Sequence, residues 1–153
     1  MPYTITAIEE AEHPLLVPIW ESAVLATHHF LKDSDFQIFK LIVSSGIFKS
    51  VETLKGARDP NGKLVAFMGI KGQSLEMLFV QDGYRGKGIG KMLLKSAIED
   101  LGVRTVDVNQ QNEAAVGFYL HFGFEITSVS AKDGMGKPYP IAHMQLVAQL
   151  DMG

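Results

Sequence analysis

The apolar positions along this chain change period several times, and each change marks an element. "YTITAI" near the N-terminus has the β-branched content of a strand. From Leu16 onward Ile19, Trp20, Ala23, Thr27, Phe30 and Leu31 recur at helical spacing. A second helix, capped by Ser34 or Asp35, would carry Phe36, Phe39, Leu41, Ile42 and Phe48. Residues 50–72 read as two strands joined at "DPNG", where Asn61 and Gly62 are placed to take the positive φ angles of a tight hairpin. "SLEMLFV" is a further strand and runs into a glycine-rich loop. Beyond the loop the pattern predicts a helix (Leu93, Leu94, Ala97, Ile98, Leu101), the strand "VRTVDVN" and a helix from about Asn112 to Phe122. The strands "FEITSVSA" and "IAHMQLV" follow. A hairpin sheet followed by alternating helices and strands is a mixed α/β arrangement. No linker, repeat or low-complexity run interrupts it, so one domain over residues 1–153 is expected.

Composition narrows the function classes. The chain has 153 residues, 46% hydrophobic and 20% charged, enough for one self-sufficient core. It holds no cysteine, which excludes disulfides, thiolate metal sites and a cysteine nucleophile. The N-terminal sequence lacks the features of a secretory signal, and no run approaches the ~18 apolar residues of a membrane span. A soluble, cytoplasmic protein with no membrane partner is expected. The formal net charge of −3 and the absence of a long basic run argue against nucleic acid and favour cationic small molecules.

The loop "YRGKGIGKML", Tyr84 to Leu93, is the strongest candidate for chemistry. A Walker A loop fails on Arg85 at its first glycine and Met92 at its hydroxyl. A dinucleotide fingerprint fails on Lys91 at its last glycine, although Asp107 lies about 20 residues on. What remains is R-x-x-G-x-G, made by Arg85, Gly88 and Gly90, between a strand and a helix. Glycines let backbone amides approach a phosphate, and a helix start adds free N–H groups and a positive dipole end. Arg85, Lys87 and Lys91 would balance the charge of two phosphates. The bland alternative is a strand–helix turn with a solvated basic rim.

"LFVQDGYRGKGIGKMLLKSAIE" resembles the acetyl-CoA-binding segment of the GNAT superfamily of acyl-CoA N-acyltransferases. "VNQQNEAAVGFYLHFGFE" resembles the later strand–helix motif of that superfamily, in the family's order and at a typical separation. "IWESAVLATHHFL" and "GKPYPIAHM" are similar to a bacterial group of small acetyltransferases. The resemblance implies a central mixed, mostly antiparallel sheet flanked by helices and splayed open after "SLEMLFV". Acetyl-CoA would be the co-substrate. Its pantetheine arm would bond backbone groups at Leu78, Phe79 and Val80, and its pyrophosphate would meet Arg85, Gly86, Lys87, Gly88, Ile89, Gly90 and Lys91.

By the same resemblance the general acid is Tyr119, a phenol protonated at neutral pH. Its helical face, shared with Ala115, Phe118 and Phe122, equally fits a core tyrosine with a satisfied hydroxyl. Asn112 either bonds the pantetheine or caps its helix. Period two places Glu76 on one strand face with Leu78 and Val80, where it is either the general base or an ordinary solvated glutamate. His28 and His29, on the first helix, are the competitors and candidate substrate contacts; adjacent helical residues point ~100° apart and cannot chelate one metal well. No metal is expected. His121 and His143 are assigned structural roles. The segment "AKDGMGKPYPIAHM" reads as a mobile loop and closing strand that covers the acceptor side, with Tyr139 as a contact, or as an ordinary connection. The leading function is transfer of an acetyl group to a primary amine on a small substrate. The alternatives are a non-catalytic acyl-CoA-binding or ligand-sensing module and an acceptor on a protein or charged tRNA. Dimers are common in such folds, which leaves a homodimer open.

Overall fold

The structure is a computed structural model that describes residues 3–147; the two ends of the expected 1–153 domain lie outside the described residues. The strands are β1 (Thr4–Ala7), β2 (Thr53–Arg58), β3 (Leu64–Lys71), β4 (Ser74–Val80), β5 (Thr105–Asn109), β6 (Phe124–Ser130) and β7 (Ile141–Leu146). The helices are α1 (His13–Thr27), α2 (Asp33–Ser44), α3 (Ile89–Glu99) and α4 (Glu113–His121). One seven-stranded sheet runs in the order β1-β2-β3-β4-β5-β7-β6. All neighbours are antiparallel except β4 and β5, which are parallel.

Each sheet face carries its own core. Leu93, Leu94, Ala97 and Ile98 on α3 form one apolar stripe and pack with Met68, Val106, Val108 and Met144 from the strands. On the opposite face α1 buries Leu16, Ile19, Trp20 and Val24 against Phe67, with Phe36 and Val43 of α2 alongside. The middle strand β3 is buried from Leu64 to Ile70, as a strand covered on both faces must be.

Several expected details change. The first helix starts earlier than the pattern indicated, with Pro14 in its first turn, and ends at Thr27. His28 is therefore its C-cap and His29 lies in the turn beyond. Neither Ser34 nor Asp35 caps α2. The helix starts at Asp33 without a side-chain cap, and Asp35 bonds elsewhere. Phe48 falls outside α2, in a 3-10 turn over Ile47–Ser50 that follows Gly46 at φ +104°. At the β2–β3 hairpin only Gly62 takes a positive φ; Asn61 does not, because the Asp59 carboxylate accepts the Asn61 and Lys63 amides and fixes the turn instead.

Beyond α4, three strands are tied on one open face. His143 Nδ1–H donates to Asp107 Oδ1 at 2.7 Å, and Nε2 meets the Ser130 hydroxyl at 2.6 Å. Asp107, His143 and Ser130 sit on β5, β7 and β6, so the ring stitches the end of the sheet together.

Candidate active site

The site begins with a strand that loses its neighbour. β4 pairs with β3 as far as Val80, but with β5 only at Ser74↔Thr105 and Leu75↔Val106. Past Leu75 the two strands diverge, and among the described residues the β5-facing backbone of Met77–Val80 has no ladder partner. A bulge lies where the divergence begins. The β3–β4 register shifts between Gly69 and Ile70, so Glu76 has no partner and the local twist increases.

That bulge also reverses an expected placement. Leu75, Leu78 and Val80 pack toward α3 and α4, whereas Met77 and Phe79 pack toward α1 and α2. Glu76, inserted between them, lines a cavity with Met77 and Phe79. It does not share a face with Leu78 and Val80. Period two across this strand fails because one residue is extra.

The gap opens into a cavity of about 460 Å³. One end is the loop before α3. Gly86 and Gly88 hold φ of +78° and +80°, a region that side chains enter only at a cost, and Gly88 is the residue preceding the helix. The first α3 bond runs from the Met92 amide to the Gly88 carbonyl, so the amides of Ile89, Gly90 and Lys91 have no helical acceptor. Arg85, Gly86, Gly88, Ile89, Gly90 and Lys91 all line the cavity, and Lys87 does not. Among the described residues neither Arg85 nor Lys91 is in an ion pair. Free amides, a helix start and two cations outside the ion pairs of the described residues are the chemistry that binding a diphosphate requires.

Leu78, Phe79 and Val80 make one wall of the cavity, and Asn112, Phe118 and Tyr119 of the α4 region make the other. Asn112 caps α4, its Oδ1 accepting the Ala115 amide at 3.2 Å. Tyr119 is 6% exposed, and burial pushes its phenol far above the usual value. Among the described residues no buried side-chain oxygen is without a partner, and no protein group bonds the Tyr119 hydroxyl. The hydroxyl therefore touches the open cavity. Tyr119 is a member of the core on this face, but no protein group among the described residues satisfies its hydroxyl.

At the end nearest α1 the lining includes Ala23, Thr27 and His28. The Thr27 hydroxyl gives its single proton to the Ala23 carbonyl at 2.8 Å, so it accepts from His28 Nδ1–H at 2.8 Å. The Nε2 lone pair is left free. Burial, helped by neighbouring His29, pushes the His28 pKa down to about 4, so the ring is neutral at physiological pH. His29 is exposed and outside the cavity.

Tyr139 does not line the cavity. It is 4% exposed, donates to Asp35 Oδ2 and accepts the Lys32 amide at 3.2 Å, while Lys137 pairs with Asp35 at 2.9 Å. Its ring meets Phe30 and Phe39. The late segment expected to be mobile is thus anchored to the start of α2, and Asp133 closes its turn by accepting the Met135 and Lys137 amides. Sequence reasoning also missed cavity residues. Ala23 and Thr27 sit at helical spacing on α1 and read simply as core positions. Among the described residues no group of three or more His, Asp or Glu side chains could hold a metal ion, and no helix is long and apolar enough to cross a membrane.

Comparison with known proteins extends this picture. The family model of the GNAT acetyltransferase domain matches residues 55–126, from β2 through the start of β6. The peptidyl-lysine N-acetyltransferase YjaB of Salmonella typhimurium is 38% identical over 89% of this chain and 91% of its own length. The solution structure of the apo form of Escherichia coli YjaB superposes with a TM-score of 0.84 at 35% identity, covering 96% of this chain and 99% of that one. The PaiA N-acetyltransferase of Thermoplasma acidophilum, solved in complex with coenzyme A, shares the fold at a TM-score of 0.72 and 19% identity, covering 96% and 100%.

Proposed function

The chain belongs to the GNAT acetyltransferase family, and from that premise we propose that it moves an acetyl group from acetyl-CoA to the ε-amine of a lysine in a protein. The observation that carries the donor and the chemistry is the Tyr119 hydroxyl, unbonded by the protein and open to the same cavity that the glycine loop lines. The acceptor class is supported by relatives named peptidyl-lysine N-acetyltransferases, matched over nearly their whole length.

Bound acetyl-CoA supplies an electrophilic thioester carbonyl and a thiol leaving group. The residues of this chain do the rest. Arg85, Lys91 and the free amides of α3 bind the diphosphate. The unpaired edge of Met77–Val80 takes the amide-bearing arm as an added strand, and the Asn112 side-chain N–H groups, unused by the cap, face the same arm. His28 Nε2 accepts a hydrogen bond from the neutral attacking amine and points its lone pair at the carbonyl. The new N–C bond forms and the C–S bond breaks as Tyr119 gives its proton to the departing sulfur. Burial keeps the phenol protonated and also disfavours a bare thiolate beside it, so the proton is held ready for the departing sulfur. The amine's surplus proton leaves through His28, whose low pKa hands it on to water, and solvent restores the Tyr119 proton. Glu76 has no part in these steps, since it borders the cavity on the other face.

The test is thiol release from acetyl-CoA with lysine-containing proteins, read alongside mass spectrometry of the product. Tyr119→Phe should keep coenzyme A binding and lose roughly 10²-fold or more in transfer. Undiminished transfer would remove Tyr119 from the mechanism. Modification of free amines alone would overturn the protein acceptor and leave the acetyl transfer standing.

A further inference from the structure

The opposite face of the sheet holds a second cavity, of about 390 Å³, that the transfer reaction does not use. Its walls are Trp20 of α1, Val43 of α2, Phe48 of the 3-10 turn, and Met77 and Phe79 of β4. Trp20 is fixed by stacking on Phe36, with centroids 5.6 Å apart and an 11° interplanar angle, and Phe48 packs edge-on against Phe67. The interior is largely aromatic and apolar. Among the described residues no fully buried side-chain nitrogen or oxygen lacks a partner.

Two of the lining residues are charged, and they carry opposite signs. Glu76 reaches this cavity because the bulge turned it away from the donor side, and Lys71 reaches it from the end of β3. Both are exposed, and among the described residues neither forms an ion pair. An apolar aromatic chamber with one carboxylate and one ammonium at its mouth matches a molecule that is apolar at one end and zwitterionic at the other. The volume lies at the low end of small-molecule sites, suited to one bulky residue rather than a cofactor.

We propose that this cavity binds a free α-amino acid with a large apolar or aromatic side chain, Glu76 holding its ammonium and Lys71 its carboxylate. Phe79 lines both cavities, so the bound amino acid presses on a wall of the donor site. The proposal rests on the second cavity alone and holds whether or not the acceptor is a protein lysine.

Isothermal titration of the full chain with L-tryptophan, L-phenylalanine and L-methionine, without coenzyme A, tests it. Controls are glycine, which lacks the side chain, N-acetyl-L-phenylalanine, which lacks the ammonium, and phenethylamine, which lacks the carboxylate. At least one bulky amino acid should bind, and each control should bind roughly tenfold or more weakly. Glu76→Gln and Lys71→Met, both at exposed positions, should each weaken that binding roughly tenfold or more while their melting curves stay near the parent's. Failure of all three amino acids to bind at millimolar concentration would overturn the site, as would parent-like affinity in both variants. Recovery of the ligand as its N-acetyl derivative after addition of acetyl-CoA would overturn its separation from the acceptor site.

Discussion

Replacing Gly88 by alanine should lower stability, replacing Gly90 by alanine should not, and both should weaken coenzyme A binding. Gly88 sits at φ +80°, and a Cβ there meets no atom within 4 Å, so the cost is conformational rather than steric. A left-handed alanine costs about 1–2 kcal/mol. For a chain of this length about 1 kcal/mol shifts the midpoint by roughly 2–4 °C, so Gly88→Ala should melt about 2–8 °C lower. Gly90 has ordinary helical geometry, and its Cβ would lie 3.7 Å from Phe118 Cζ and 4.0 Å from Val80 Cγ2, normal contact distances. Alanine gains up to about 1 kcal/mol over glycine within a helix, so Gly90→Ala should melt unchanged or up to about 4 °C higher. Its methyl, however, points at two residues that line the donor cavity. Thermal melts by circular dichroism and calorimetric titration with coenzyme A give the two readouts. A fall in the melting point of Gly90→Ala would refute the packing argument, and parent-like coenzyme A affinity in that variant would refute the placement of the donor.

His28 and Asp35 make pH predictions of related sign. Folded His28 stays neutral down to about pH 4 whereas the unfolded chain protonates it near 6.5, so its contribution is full above 6.5 and falls as pH drops towards 4. That limb is worth up to about 3 kcal/mol and should flatten in His28→Gln, as measured by urea unfolding at pH 7.5 and 4.5. Asp35 is held below the usual carboxylate range by the Tyr139 hydroxyl and then by Lys137, so its contribution is present above about pH 4 and is lost as acid protonates it. Asp35→Asn should melt lower than the parent at neutral pH and show a shallower loss below pH 4. Coenzyme A affinity should weaken as salt rises, because Arg85 and Lys91 are exposed cations, and Arg85→Ala should reduce that slope. A salt-independent affinity would remove them from the diphosphate site.

What the sequence displayed were features encoded within a few residues. The glycines of the loop, the stripe of α3 and the cap at Asn112 each follow from local spacing, and each stands in the structure where the pattern put it. Features that depend on register or on distant partners were hidden. One extra residue in β4 moves Glu76 to the other face, and nothing in "SLEMLFV" announces it. Tyr139 meets Asp35 across more than a hundred residues, so a segment rich in glycine and proline read as loose although a carboxylate anchors it. His28 looked like half of a helical pair until the helix stopped one residue before it.

The short contact between β4 and β5 has a mechanical consequence. Apart from two paired positions at Ser74–Leu75 and the Gln73 carbonyl, which takes the Arg104 and Thr105 amides, no backbone bond among the described residues crosses that line. The sheet is a four-stranded panel and a three-stranded panel sharing a narrow hinge, and a donor bonded along Met77–Val80 would act as the missing rib between them. Coenzyme A occupancy would then register as stiffness across the whole molecule, and amide exchange in β5, far from the glycine loop, would slow as the donor becomes abundant.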